Sequence, residues 1–249
     1  MPGRKILLTA AIFTGLAMAC LYSTGSYGQS RDSGGYRSGY QKAAGYYADI
    51  YYGANCETHA AATMRIIDVY YPYLAAEFGI YKDLKAEIAI HGSKEDMYAA
   101  MGKDYGEKPP MGAYYKGVIQ ILSPECWVQS EAVLSDEFVA EGPVIHELAH
   151  FMLEEKTGGN YEVWFSEGVA LYMEYKYMAY EWKAQTESYD KIALSEMAEY
   201  FKQINQASAY RMAFEQVKNL VENYGQGVLS DIYEQLESGV PFCKVIQSY

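Results

Sequence analysis

The sequence predicts an α+β fold, with a small N-terminal mixed sheet and its helices followed by an all-helical C-terminal part. Two observations predict it. Short runs that alternate apolar and polar residues, or concentrate β-branched and aromatic ones, occur before Pro124. After Pro124, apolar residues recur at helical spacing, and no internal repeat interrupts the pattern. Half of the 249 residues are hydrophobic, which is enough for the core of one domain of ordinary size.

The first residues read as an export segment. Arg4 and Lys5 precede an apolar run over 6–19, too short to span a bilayer comfortably, and Ala17-Met18-Ala19 puts small residues at the positions a signal peptidase reads. Residues 1–19 are therefore expected to be a signal peptide, and the protein to be exported: secreted, periplasmic or held at the cell envelope. Cys20 follows the cleavage point and resembles a bacterial lipoprotein signal, although Ala17 stands where leucine is usual. A membrane tether through lipidated Cys20 is one outcome and simple secretion the other. Residues 20–45, rich in Ser, Gly and Tyr, read as a flexible linker, and 46–249 as the folded domain.

Within that domain, residues 46–52 carry strand-forming aromatics and Ile50. Asn55 is placed to cap a helix running to Phe78, with Pro72 as a kink or dividing point and Gly79 as its stop. Residues 84–91 alternate like a half-buried strand. Ser93, followed by Glu95 and Asp96, opens a helix reaching Met101. Gly106 and Pro109-Pro110 mark 103–112 as a loop, and 118–122 form a short apolar strand stopped by Pro124. Helices are then expected over 144–155, closed by Gly158-Gly159, over 166–182, and over 194–204, 209–223 and 228–236.

Net charge is -12, so phosphate backbones are repelled and nucleic acid is not an expected partner. The 27 tyrosines say little beyond an aromatic surface on a folded chain. Cys20, Cys56, Cys126 and Cys243 lack the close pairing of a cysteine metal site. In an oxidising compartment one disulfide among the last three is expected, and the sequence does not choose the pair.

The chemistry lies in Val144-Ile145-His146-Glu147-Leu148-Ala149-His150. Residues four apart on a helix share a face, so His146 and His150 can aim ring nitrogens at one ion. Two neutral imidazoles at that spacing suit Zn2+. Glu147 is turned roughly 100° from His146 around the axis, able to approach a water beside the metal without binding the metal itself. The bland alternative is an amphipathic helix whose histidines sit in a surface network. Against it stands Trp164-Phe165-Ser166-Glu167-Gly168-Val169-Ala170-Leu171-Tyr172, 17 residues from His150 to Glu167. A carboxylate amid so much apolar surface needs a partner, and a cation supplies one. Three protein ligands leave a fourth position for water, the catalytic arrangement.

These two segments resemble the gluzincin zinc metallopeptidases, more closely their peptidase MA-like domains. The resemblance extends loosely over residues 46–239, through Phe78-Gly79, Ser93-Lys94-Glu95-Asp96 and Asn223-Tyr224-Gly225. It implies a domain packed around the His146 helix, with His146, His150 and Glu167 as zinc ligands and Glu147 as the base. It also implies that the last strand before the zinc helix, read here as 114–122, pairs with extended peptide, with Tyr114 and Tyr115 as pocket residues or ordinary strand aromatics. The pattern departs from thermolysin-like enzymes in its shorter spacing and in Leu171, four residues after Glu167, where those enzymes carry an acid. Glu174, seven after Glu167, is read as a solvated surface acid in preference to a substitute. Tyr210 stands where some relatives have an oxyanion-stabilising tyrosine, and core packing is the other reading. His59 and His91 are read as surface or core residues.

Two functions follow as expectations. One is an exported zinc peptidase acting on peptide or protein substrates. The other is a scaffold, zinc-bound or metal-free, that binds peptides or cell-envelope partners without cleaving them. Substrate preference, endo- or exopeptidase action and oligomeric state are not encoded legibly.

Overall fold

The computed structural model describes residues 39–103, 110–127, 143–181 and 192–249. The expected signal peptide, Cys20, most of the expected linker, the middle of the 103–112 loop and Trp182 lie outside the described residues. What is described is the expected α+β fold.

Among the described residues five strands form one mixed sheet in the order β1-β2-β3-β5-β4. They are β1 (Gln41–Ala44), β2 (Ala48–Tyr52), β3 (Ala86–His91), β4 (Gly112–Tyr115) and β5 (Val118–Leu122). β2, β3 and β5 run parallel at the centre, and the two edges, β1 and β4, pair antiparallel to their neighbours. Ile50, Ile88, Ile90, Ile119 and Ile121 point to the main core, as the period of two requires. On the opposite face Ala89 and Val118 pack with Tyr40, Tyr51 and Ala100. His91 is buried there between Tyr40 Oη at 2.8 Å and Gln120 Oε1 at 2.7 Å.

Two strand expectations need correction. β1 falls inside the stretch read as linker. Its mostly exposed Gln-Lys-Ala-Ala lacks apolar alternation, and only pairing with β2 orders it. The expected single strand over 114–122 is a hairpin. Lys116 and Gly117 take φ of 51° and 82°, both left-handed, which matches the twist of two strands joined by a two-residue turn. β5 is therefore interior and buried at all five positions. Among the described residues β4 is the edge strand on that side of the sheet.

Helix α1 (Glu57–Glu77) contacts β2. It starts after Cys56 rather than Asn55, because Asn55 adopts a left-handed φ of 66° and leaves the cap position. Pro72 neither divides nor ends it. Pro72 and Asp68, four residues earlier, are both exposed, so water can serve the carbonyl that loses its helical donor. Helix α2 (Lys94–Met101) begins as predicted, with Ser93 Oγ accepting from the Asp96 amide at 3.1 Å, and Gly102 closes it in the left-handed region.

The described part of the second half is helical: α3 (Val144–Thr157), α4 (Val163–Met178), α5 (Met197–Gln203), α6 (Gln206–Tyr224), α7 (Val228–Glu237) and α8 (Phe242–Ile246). The short turn from the left-handed Gly158 to Glu162 folds α3 and α4 into an antiparallel hairpin. α3 also touches α1, β4, β5 and α7, which puts it at the centre of the molecule. Gly168 lets α4 meet α6: a Cβ there would lie 2.4 Å from Ala213 O and 2.7 Å from Val217 Cγ2. Among the described residues no helix is long and apolar enough to cross a membrane.

Cys56, Cys126 and Cys243 are all free, which corrects the expected disulfide. The thiols of Cys56 and Cys126 point instead at backbone carbonyls, Ala54 O at 3.6 Å and Gly92 O at 3.5 Å, and Cys243 is exposed on α8.

Candidate metal centre

α3 is buried without a break from Val144 to Leu153, so its polar residues His146, Glu147 and His150 are carried into the interior by the apolar surface around them. α4 is buried from Trp164 to Glu174 and does the same for Ser166, Glu167 and Glu174. The antiparallel register decides which meet. His150, on the second turn of α3, faces Ser166 and Glu167 near the start of α4, and His146 faces Glu167 and the later Glu174.

Side-chain donor atoms of His146, His150 and Glu167 lie within 4.8 Å of one another. Nε2 of His146 is 3.3 Å from Glu167 Oε2, and Nε2 of His150 is 3.8 Å from the same oxygen. The rings stand nearly perpendicular, 76° between planes with centroids 4.8 Å apart. Two nitrogens and a carboxylate oxygen thus converge on one point, with both Nδ1 atoms turned away from it. Each ligand candidate is held from behind. Ser166 Oγ is 2.7 Å from His150 Nδ1, Tyr210 Oη donates to Glu167 Oε1 at 2.9 Å, and Glu174 Oε1 lies 3.6 Å from His146 Nδ1.

The polar balance asks for a cation. His146 and Glu147 have their polar atoms buried with no hydrogen-bond partner among the described residues, a costly state for groups removed from water. His146, Glu147 and Glu167 are 0% exposed and His150 1%. Burial works to lower the pKa of His146, but Glu167, Glu174 and Glu147 together raise it well above the ordinary value. Burial pushes Glu147 up to about 8, eased by His146 and reinforced by the charges of Glu167 and Glu174. Burial also drives His150 down to about 3, opposed by Glu167 and helped by His146. Three carboxylates around two imidazoles in so dry a place fit a divalent ion, and a nitrogen-rich donor set of this kind suits zinc among several metals.

The predicted metal residues are brought together by the fold, and Glu147 stands beside them. Gly112 of β4 lies directly against Glu147. A Cβ on Gly112 would come 2.8 Å from Glu147 Cγ and 2.5 Å from Pro143 Cβ. Edge strand β4 therefore runs past the candidate base. Tyr114, half-buried, makes an edge contact with Phe151, their rings 6.1 Å apart.

Other expectations shift. Glu174 is not a solvated surface acid. It is 3% exposed and reaches His146, because seven residues bring an α-helix back to the same face. Tyr210 is buried, and its hydroxyl serves Glu167. His59 is buried and contacts Glu125 Oε1 at 2.5 Å; neither it nor His91 joins the convergent group. Sequence reasoning missed Ser166 and Gly112. The only cue for Ser166 was a lone hydroxyl beside Glu167 in an apolar run, and Gly112 had none, since its need arises from a contact with another element. A scan against protein-family models and a search of curated proteins found no match to this chain.

Proposed function

We propose that the chain is an exported zinc metallopeptidase, with His146, His150 and Glu167 as zinc ligands and Glu147 as general base. One observation carries the reading. Two imidazole Nε2 atoms and the Glu167 carboxylate converge beside a second buried carboxylate, Glu147, which lies against the edge strand β4. The resemblance of the two sequence segments to gluzincins supports it, and the basic, apolar start of the chain supports export.

When bound, zinc would acidify a water and draw charge from a substrate carbonyl. The rest is the work of this chain's side chains. Glu147 would take a proton from the water through Oε1 or Oε2 and later hand it to the departing amine nitrogen. Without a metal, burial lifts Glu147 to about 8, and a bound divalent cation would draw it back towards the ionised form that a base requires. The edge of β4 would hold an extended peptide by backbone pairing, and Gly112 keeps that backbone close to Glu147. Tyr210 and Ser166 would keep Glu167 and His150 aimed.

A second reading has its own observation. Metal residues and Glu147 are at most 1% exposed, which suits a scaffold that binds a metal or a peptide without turnover. The test is Glu147→Gln. If the wild type cleaves a peptide library, the variant is expected to keep its metal and fold and to cleave about a hundred- to ten-thousand-fold more slowly. The scaffold reading expects no cleavage by either protein. Equal cleavage by both would move the active site elsewhere.

A further inference from the structure

A histidine that binds a metal through one ring nitrogen carries a proton on the other, and what accepts that proton sets the tautomer and the ring's direction. The partners of His150 and His146 differ in kind. Ser166, at 2.7 Å from His150 Nδ1, is a hydroxyl that can donate or accept, so it holds the ring without choosing the tautomer. Glu174 is a carboxylate, which when ionised can only accept.

The structure assigns Glu174 as the positioning residue for His146, a role that rests on the metal-centre reading above. Three observations converge on it. Glu174 is 3% exposed, a place where an acid is costly unless something uses its charge. Its Oε1 lies 3.6 Å from His146 Nδ1, on the side of the ring opposite Glu167. Glu174 stands seven residues after Glu167 on α4, so two helical turns return it to the face that carries Glu167. The separation is ion-pair range. A swing of about half an ångström brings it to hydrogen-bond length. With its Nδ1 proton accepted by Glu174, His146 keeps the Nε2 lone pair directed at the point where His150 and Glu167 converge. His146 is then the histidine whose tautomer is fixed by a carboxylate oxygen acting as acceptor.

The test compares zinc affinity by chelator competition, and the visible absorption of the cobalt-loaded protein, in the wild type, Glu174→Leu and Glu174→Gln. Leucine keeps packing volume and loses the acceptor; glutamine keeps an acceptor and loses the charge. Glu174→Leu is expected to bind zinc about 10- to 100-fold more weakly, with a changed cobalt spectrum. Glu174→Gln is expected to recover most of the affinity and the wild-type spectrum. Wild-type affinity and spectrum in Glu174→Leu would overturn the assignment alone. If Glu174→Leu does not fold, Glu174→Gln decides by itself: a loss there of about 100-fold or more also overturns the assignment, because the effect then tracks charge and not the acceptor. A wild type that binds neither metal defeats the metal-centre reading and this assignment together.

Discussion

The α3–α4 pair and the α6–α7 pair are both packed into the same core, yet they use it differently. α6 and α7 bury an apolar stripe, Phe214, Val217, Leu220 and Val221 on one and Leu229, Ile232, Tyr233 and Leu236 on the other, and turn most of their polar residues outward. α3 and α4 are buried over most of their length and enclose His146, Glu147, His150, Ser166, Glu167 and Glu174. Burial of an unpaired carboxylate costs several kcal/mol in practice. A stretch that tolerates this cost is shaped for something other than stability.

The comparison predicts opposite signs for two substitutions. Phe214→Ala, in the stability-optimised pair, is expected to cost about 3–5 kcal/mol in chemical denaturation. Glu147→Leu, in the metal-free protein, is expected to raise stability by about 1–3 kcal/mol, because it removes buried oxygens that have no hydrogen-bond partner. A destabilised Glu147→Leu would break the contrast.

Between these lies the contact of the two pairs. Gly168→Ala places a methyl against the Ala213 carbonyl and is expected to cost about 1–3 kcal/mol. The same change at exposed Gly227, where an added Cβ meets nothing within 4 Å, should cost much less, and a denaturation series on both reads the difference.

The smallest expected effect lies on the face of the sheet turned away from the main core. Burial lowers the pKa of His91 below its ordinary 6.5, partly offset by Gln120. Between the lowered folded value and 6.5 the unfolded chain binds more protons, so stability rises with pH there and falls on acidification. The slope is at most about 1.4 kcal/mol per pH unit for one proton. His91→Gln should flatten that part of the profile, and an unchanged slope would assign it to other groups.

How legible each element was depends on where its cause resides. Val118–Leu122, the Ser93 cap and the Gly158 stop were readable because their causes are local: a short apolar run, an acceptor side chain and a left-handed glycine. His146, His150 and Glu167 were readable because helical spacing places two of them and an apolar context isolates the third. Glu174 was misread because its burial depends on the register of α4 against α3, which no single helix contains. β1 was missed for a similar reason, since its partner strand and not its own residues orders it. The Lys116–Gly117 turn carried only one weak local cue, Gly117, and Lys116 in a left-handed conformation carried none.

The central claim is that His146, His150 and Glu167 hold one metal ion. Its most direct test is the zinc content of the purified protein, by elemental analysis, beside His146→Ala and Glu167→Ala. The account predicts about one zinc per wild-type chain and loss of it in both variants. Zinc content unchanged in both variants would contradict it.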